Sequence, residues 1–277
     1  MNGGNIAIVG PRKSGKTTYL AGLAYHSHHE DQQGIKYTIT IQNNEDTKNL
    51  KEDAERILLP QQDFKGTKKR DKTVFQLPYF GFFIDYKPSR FKASQRITIA
   101  TRDYSGELFD DLAKSSFLSN EDEEFVKDFF TNKIGCIVLL TSWELGADNK
   151  YHNMLKNFLE IMDRNNVDSN YKIAVVMTKC ERGEIWTGRF EPERDLFDVH
   201  LKKTKDLLRQ KLKPNTLKFF ALSTFGILSQ TDPRPNRLDR IVKGEPASVL
   251  RQPEVWKPYN LIEPLLWIAQ TSKSTTK

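Results

Sequence analysis

Short apolar runs alternate along this chain with longer stretches whose apolar residues recur at helical spacing. Residues 6–9, 97–100, 134–140, 173–177 and 217–222 are almost continuously apolar, as expected of strands buried on both faces of a parallel sheet. Between them, residues 16–28, 107–118, 121–131, 150–164 and 191–213 read as helices. The repeating strand–helix order predicts a three-layer, doubly wound α/β fold with a mostly parallel sheet.

Within 191–213, Pro192 suits a first turn, and Phe197, Leu201, Leu208 and Leu212 form one core-facing stripe. Asn260 followed by Glu263 resembles a capping box ahead of a last helix over 261–270. Two stretches break the rhythm. Residues 30–95 combine a strand-like 36–41, a charged helical 49–58, a basic loop at 65–72 and an aromatic run over 74–86 that suggests a strand or hairpin. Residues 229–258 hold five prolines and little periodicity, which reads as an irregular surface loop. The expected organisation is one domain over 1–271, with 30–95 as an insertion and 272–277 as a disordered tail.

Chemistry is concentrated at the ends of the apolar runs. Gly10, Pro11, Arg12, Lys13, Ser14, Gly15, Lys16 and Thr17 fit G-x-x-x-x-G-K-[ST], directly after a strand and before a helix. The glycines let backbone wrap an anion, the helix start directs N–H groups at phosphate oxygens, and Lys16 reaches the outer phosphates. Thr17 offers a hydroxyl to Mg²⁺, with Thr18 beside it. After the next strand, Asp103 and Gly106 form D-x-x-G, where the carboxylate can hold the metal shell and the glycine amide can meet a γ-phosphate. Thr178, Lys179 and Glu181 follow a third strand on the same edge; the lysine stem can cover a purine, and the carboxylate can accept from guanine N1 and N2. Ser223 and Thr224 end a fourth strand there.

In order and placement these motifs resemble the Ras-like, translation-factor-related class of P-loop GTPases, and the run 10–24 looks most like bacterial double-GTPase or conflict-system proteins. The resemblance implies GTP or GDP with Mg²⁺, a first-switch threonine for the metal (Thr67 ahead of Thr73), and a protein partner that reads the switch segments. Thr178 and Glu181 stand where that class usually has Asn and Asp, so ATP remains an alternative. Glu107 stands where a water-orienting glutamine is usual, which implies slow hydrolysis. Arg12 and Arg102 are candidates for an internal arginine finger, and Lys16, Asp103, Gly106 and Glu107 form the catalytic set. A non-hydrolysing nucleotide-dependent scaffold, and an ATPase or small-molecule kinase of the P-loop class, are the other readings of the same motifs.

Composition adds constraints. The formal charge of +7 suits a phosphate ligand or an acidic partner. Cys136 and Cys180 lack metal or disulfide spacing and read as reduced thiols of a cytoplasmic protein. No apolar run approaches a membrane span. His26, His28, His29 and Glu30 resemble a metal cluster in composition only, and the histidines read better as cationic side chains near a helix end. The acidic start at 121–124 after Ser119 reads as a capped helix N-terminus. Lysines over 65–72 beside Phe75, Tyr79 and Phe80 read as a solvated loop next to core aromatics, which argues against nucleic acid.

Overall fold

The computed structural model describes residues 4–25, 28–30, 36–59, 74–87, 93–115, 119–142, 144–242 and 245–270. The chain opens with β1 (Gly4–Val9), α1 (Lys16–Tyr25), β2 (His28–Glu30), β3 (Lys36–Ile41), α2 (Glu45–Leu58) and β4 (Tyr79–Tyr86). It continues with β5 (Gln95–Arg102), α3 (Gly106–Leu112), α4 (Asn120–Phe130), β6 (Lys133–Leu140), α5 (Ala147–Arg164) and β7 (Lys172–Met177). Last come α6 (Asp198–His200), α7 (Lys202–Lys211), β8 (Leu217–Ala221), β9 (Arg237–Val242), β10 (Glu245–Leu250) and α8 (Glu263–Ala269).

The main sheet runs β2-β3-β4-β5-β1-β6-β7-β8. From β5 to β8 every pairing is parallel, whereas β4, β3 and β2 extend one edge by antiparallel pairing. Alternate residues of the parallel strands enter different cores. Ala7, Val9, Val138, Leu140, Val175 and Met177 pack with Leu108, Phe129, Phe158 and Leu208 from α3, α4, α5 and α7. Ile6, Ile8, Ile137, Leu139, Ala174 and Val176 pack with Leu20, Leu50 and Leu265 from α1, α2 and α8. The strands read as unbroken apolar runs because both faces are covered. The fold is therefore the three-layer α/β arrangement that the pattern predicts.

Several details differ from the sequence expectation. The 30–95 stretch adds β3, α2 and β4 to the sheet and layers of the same body. α1 stops at Tyr25, and His28–Glu30 form the short strand β2; they do not end a helix, and His26 lies outside the described residues. Residues 191–213 are not one helix: a π-helical turn over Glu193–Phe197 leads into α6, and the chain breaks at Leu201 (φ −134°) before α7. Asp148 of α5 causes the restart, because its carboxylate accepts from Lys203 N and Thr204 N, both at 2.9 Å. The stripe nevertheless points inward, with Phe197, Leu201 and Leu208 fully buried. Residues 229–258 are not irregular throughout, since β9 and β10 pair as an antiparallel hairpin. Asn260 makes no capping box: its backbone is left-handed at φ 53° and its side-chain amide donates to Ala221 O at 3.0 Å. Ser119 does cap α4, accepting from Asp122 N at 3.2 Å. Cys136 and Cys180 are free and buried, and burial pushes the Cys136 thiol up to about 12. Among the described residues no helix is long and apolar enough to cross a membrane.

Candidate phosphate-binding site

The turn from β1 to α1 wraps into a closed cradle. Gly10 (φ 150°), Lys13 (φ 63°) and Gly15 (φ 94°) take positive backbone angles. At Gly10 no side chain fits, because a Cβ would lie 2.4 Å from Leu139 O. Lys16 closes the ring: its Nζ donates to Gly10 O at 2.6 Å and Pro11 O at 3.0 Å. Burial drives the Lys16 ammonium down to about 8, against the opposing pull of Asp103 and Asp110. Ser14 Oγ is buried inside the loop with no hydrogen-bond partner among the described residues. The loop thus holds a donor that the fold leaves unused, beside a helix N-terminus and a buried cation, and these features suit an anion. Thr17 and Thr18 follow, half-buried, in the first turn of α1.

The turn after β7 is fastened to this cradle. Thr178 Oγ1 donates to Ser14 O at 2.7 Å and lies 3.0 Å from Leu140 O. Lys179, left-handed at φ 60°, donates from Nζ to Lys13 O at 2.7 Å. Burial and the neighbouring Arg237 and Arg182 lower its ammonium to about 8. The structure therefore brings Thr178 and Lys179 onto the P-loop backbone, as tethers. Thr178→Val is expected to remove both contacts while preserving shape. It should cost about 1–2 kcal/mol, with faster amide exchange across 10–16 in hydrogen-exchange measurements.

The remaining residues of that edge are committed within the chain. Glu181 is 1% exposed and its Oε1 pairs with Arg237 Nη1 at 3.5 Å. Ser223 Oγ accepts from Gly226 N at 2.7 Å, and its backbone pairs with Tyr259. Thr224 O accepts from Trp256 Nε1 at 2.7 Å. The Thr224 methyl packs so closely on α1 that a Cβ at Gly22 would fall 2.8 Å away.

The D-x-x-G segment lies against the other side of the cradle. Asp103 is buried, and its N donates to Pro78 O at 3.1 Å. Ser105 Oγ accepts from Glu107 N at 3.2 Å and caps α3. Gly106 touches the P-loop: a Cβ there would meet Arg12 N at 2.5 Å and Pro11 C at 2.7 Å. Glu107 Oε1 pairs with Arg12 Nη1 at 3.4 Å. Arg102 is engaged on residues outside the cradle. Its guanidinium lies 3.7 Å from Asp128, donates to Leu77 O at 3.3 Å and covers the Tyr79 ring. Thr67 and Thr73 lie outside the described residues. Asp110, which the motif reading missed, contributes to the field at Lys16 and pairs with Lys150 at 2.9 Å. Its position one helical turn after Gly106 was the available signal.

Among the described residues no three His, Cys, Asp or Glu side chains group as a metal site. Thr17, half-buried in the first turn of α1, and Asp103, buried after β5, are the two oxygen-bearing residues that the sequence offers to Mg²⁺. Two clefts lie away from the P-loop: one of about 490 Å³ beside Trp186, Arg189 and Tyr259, and one of about 500 Å³ beside Arg102, Asp128 and Lys133.

No family model matches the chain, and no curated protein matches it. Among solved structures, it is similar to an ADP ribosylation factor-like GTP binding protein, a small COPII coat GTPase from Encephalitozoon cuniculi in complex with GDP. That likeness has 11% identity and a TM-score of 0.34, over 80% of this chain and 69% of the other. It is also similar to the cytosolic domain of the T. maritima FeoB iron transporter in its GMPPNP form. There the identity is 14% and the TM-score 0.33, over 79% of this chain and 56% of that one.

Proposed function

We propose that the chain is a nucleotide-binding switch that takes up GTP with Mg²⁺ and hydrolyses it slowly, signalling to a protein partner through the D-x-x-G segment and the stretch near Thr67. The observation that carries this reading is the P-loop itself. Its cradle is closed by a buried Lys16, tethered by Thr178 and Lys179, and contacted by Gly106. Lys16 and the N-terminus of α1 would hold the β and γ phosphates, Lys13 to Gly15 the backbone wrap, and Thr17 with Asp103 the metal. The metal, when bound, would spread the charge of the transferring phosphoryl group. A γ-phosphate has to be accommodated where Gly106 meets Arg12, so its presence or loss bears directly on α3.

Slow turnover follows from Glu107. Its carboxylate would lie near the phosphates and repel them, and it engages Arg12, which is then not available to neutralise transition-state charge. Glu107→Gln removes one repelling charge and releases Arg12. A unit charge at ~4 Å in water-like surroundings is worth about 1 kcal/mol, so single-turnover phosphate release should rise about fivefold. Because Arg12 and Glu107 side chains are 66% and 33% exposed, the fold should lose under about 1 kcal/mol.

The test of the whole reading is calorimetric titration of GTP, GDP, ATP and ADP with Mg²⁺. Guanine-selective binding supports it, adenine preference moves the chain to the ATPase or kinase reading, and absence of binding removes it.

A further inference from the structure

The hairpin β9–β10 brings a cation to Glu181, the carboxylate that the sequence offers to a purine base. Arg237, at the start of β9, is 10% exposed at its side chain and lies 3.5 Å from Glu181 Oε1. Its Nε donates to Asp239 Oδ1 at 2.6 Å, and Asp239 also pairs with Arg182, three residues past Lys179. Ser248 of β10 donates to the same Asp239 oxygen at 2.7 Å, and Arg237 covers the Phe225 ring. The guanidinium is thus held in place by its own strand pair. Glu181 Oε2 is buried with no hydrogen-bond partner among the described residues.

A guanidinium presents adjacent N–H donors in a plane, and so does the N1–H and N2–H₂ edge of guanine. Adenine offers one donor beside an acceptor, and cannot take the place of a guanidinium on a carboxylate. We propose that Arg237 is a specificity-determining residue of the base site: it occupies the Glu181 acceptor, so that guanine must displace the hairpin to bind. The proposal rests on the P-loop being a nucleotide site. Buried carboxylates left without a cation are costly, so removing Arg237 creates an acceptor that guanine satisfies. Arg237→Lys keeps the charge but loses the planar donor pair.

Calorimetry with magnesium pyrophosphate, GDP and ADP on the wild type, Arg237→Ala, Arg237→Lys and Lys16→Ala separates the possibilities. Expected are equal pyrophosphate affinities in the wild type and both Arg237 variants, a GDP affinity about tenfold tighter in Arg237→Ala, a smaller gain in Arg237→Lys, and no gain for ADP. If Arg237→Ala does not fold, Arg237→Lys carries the comparison. In the wild type, GDP should speed amide exchange over 237–242. Pyrophosphate binding that depends on Lys16, with GDP affinity unchanged or weaker in the Arg237 variants and no added exchange in the hairpin, overturns the proposal and leaves the phosphate site standing. Failure of every variant to bind pyrophosphate and GDP overturns both.

Discussion

Lys16→Ala is expected to weaken binding of magnesium GTP by about 100-fold, measured by titration calorimetry. The side chain is the one buried cation of the cradle's own sequence, and each charge-assisted hydrogen bond that it would make to a phosphate oxygen is worth about 1.5–3 kcal/mol. The fold should tolerate the change. The variant loses the contacts to Gly10 O and Pro11 O but also sheds a charge whose desolvation opposes folding. The same desolvation gives a pH signature. Folding lowers the lysine from its ordinary value of 10.5 to about 8. Between those values the unfolded chain holds more protons, so stability rises with pH across that window. Phosphate favours the charged amine, so nucleotide affinity should be greatest below about pH 8 and should decline above it. Lys179, also lowered to about 8, would leave a weaker decline in the Lys16 variant.

The parts of the molecule that were readable from the chain are those fixed by local pattern. Residues 6–9, 134–140 and 173–177 have apolar side chains on both faces because helices cover both faces. The P-loop was legible because Gly10, Gly15, Lys16 and Thr17 are required by backbone angles and charge within one turn. What was not legible depends on partners far away in sequence. The break at Leu201 comes from Asp148 on α5, and the heptad-like stripe runs straight through it. β9 was hidden because Leu238 and Ile241 are 45% and 77% exposed, so the strand lacks a clean apolar alternation. Glu181 looked open to a base, yet its partner Arg237 lies 56 residues on. Arg102 looked close to the phosphates through its neighbour Asp103, but successive strand residues face opposite ways, and it joins Tyr104 and Lys133 at Asp128.

Gly106→Ala is expected to uncouple α3 from the P-loop. The added methyl would sit 2.5 Å from Arg12 N, 2.7 Å from Arg12 Cα and 2.7 Å from Pro11 C. All three are backbone atoms of a loop already fixed by Lys16 and Thr178, so the helix has to move instead. Overpacking of this kind costs about 1–3 kcal/mol, visible as a lower unfolding midpoint. The displacement also separates Glu107 from Arg12 and shifts Asp103, which precedes the same turn. On the proposed switch reading, in which the glycine contact would transmit the third phosphate, affinity for GTP should therefore drop towards that for GDP. Gly146→Ala is the control: its φ of 74° disfavours a side chain, but nothing lies within 4 Å of the added Cβ. That variant should lose about 1 kcal/mol of stability and keep its preference between the two nucleotides. If Gly106→Ala retains the wild-type ratio of GTP to GDP affinity, the contact between α3 and the P-loop is packing alone and the switch reading of this segment fails.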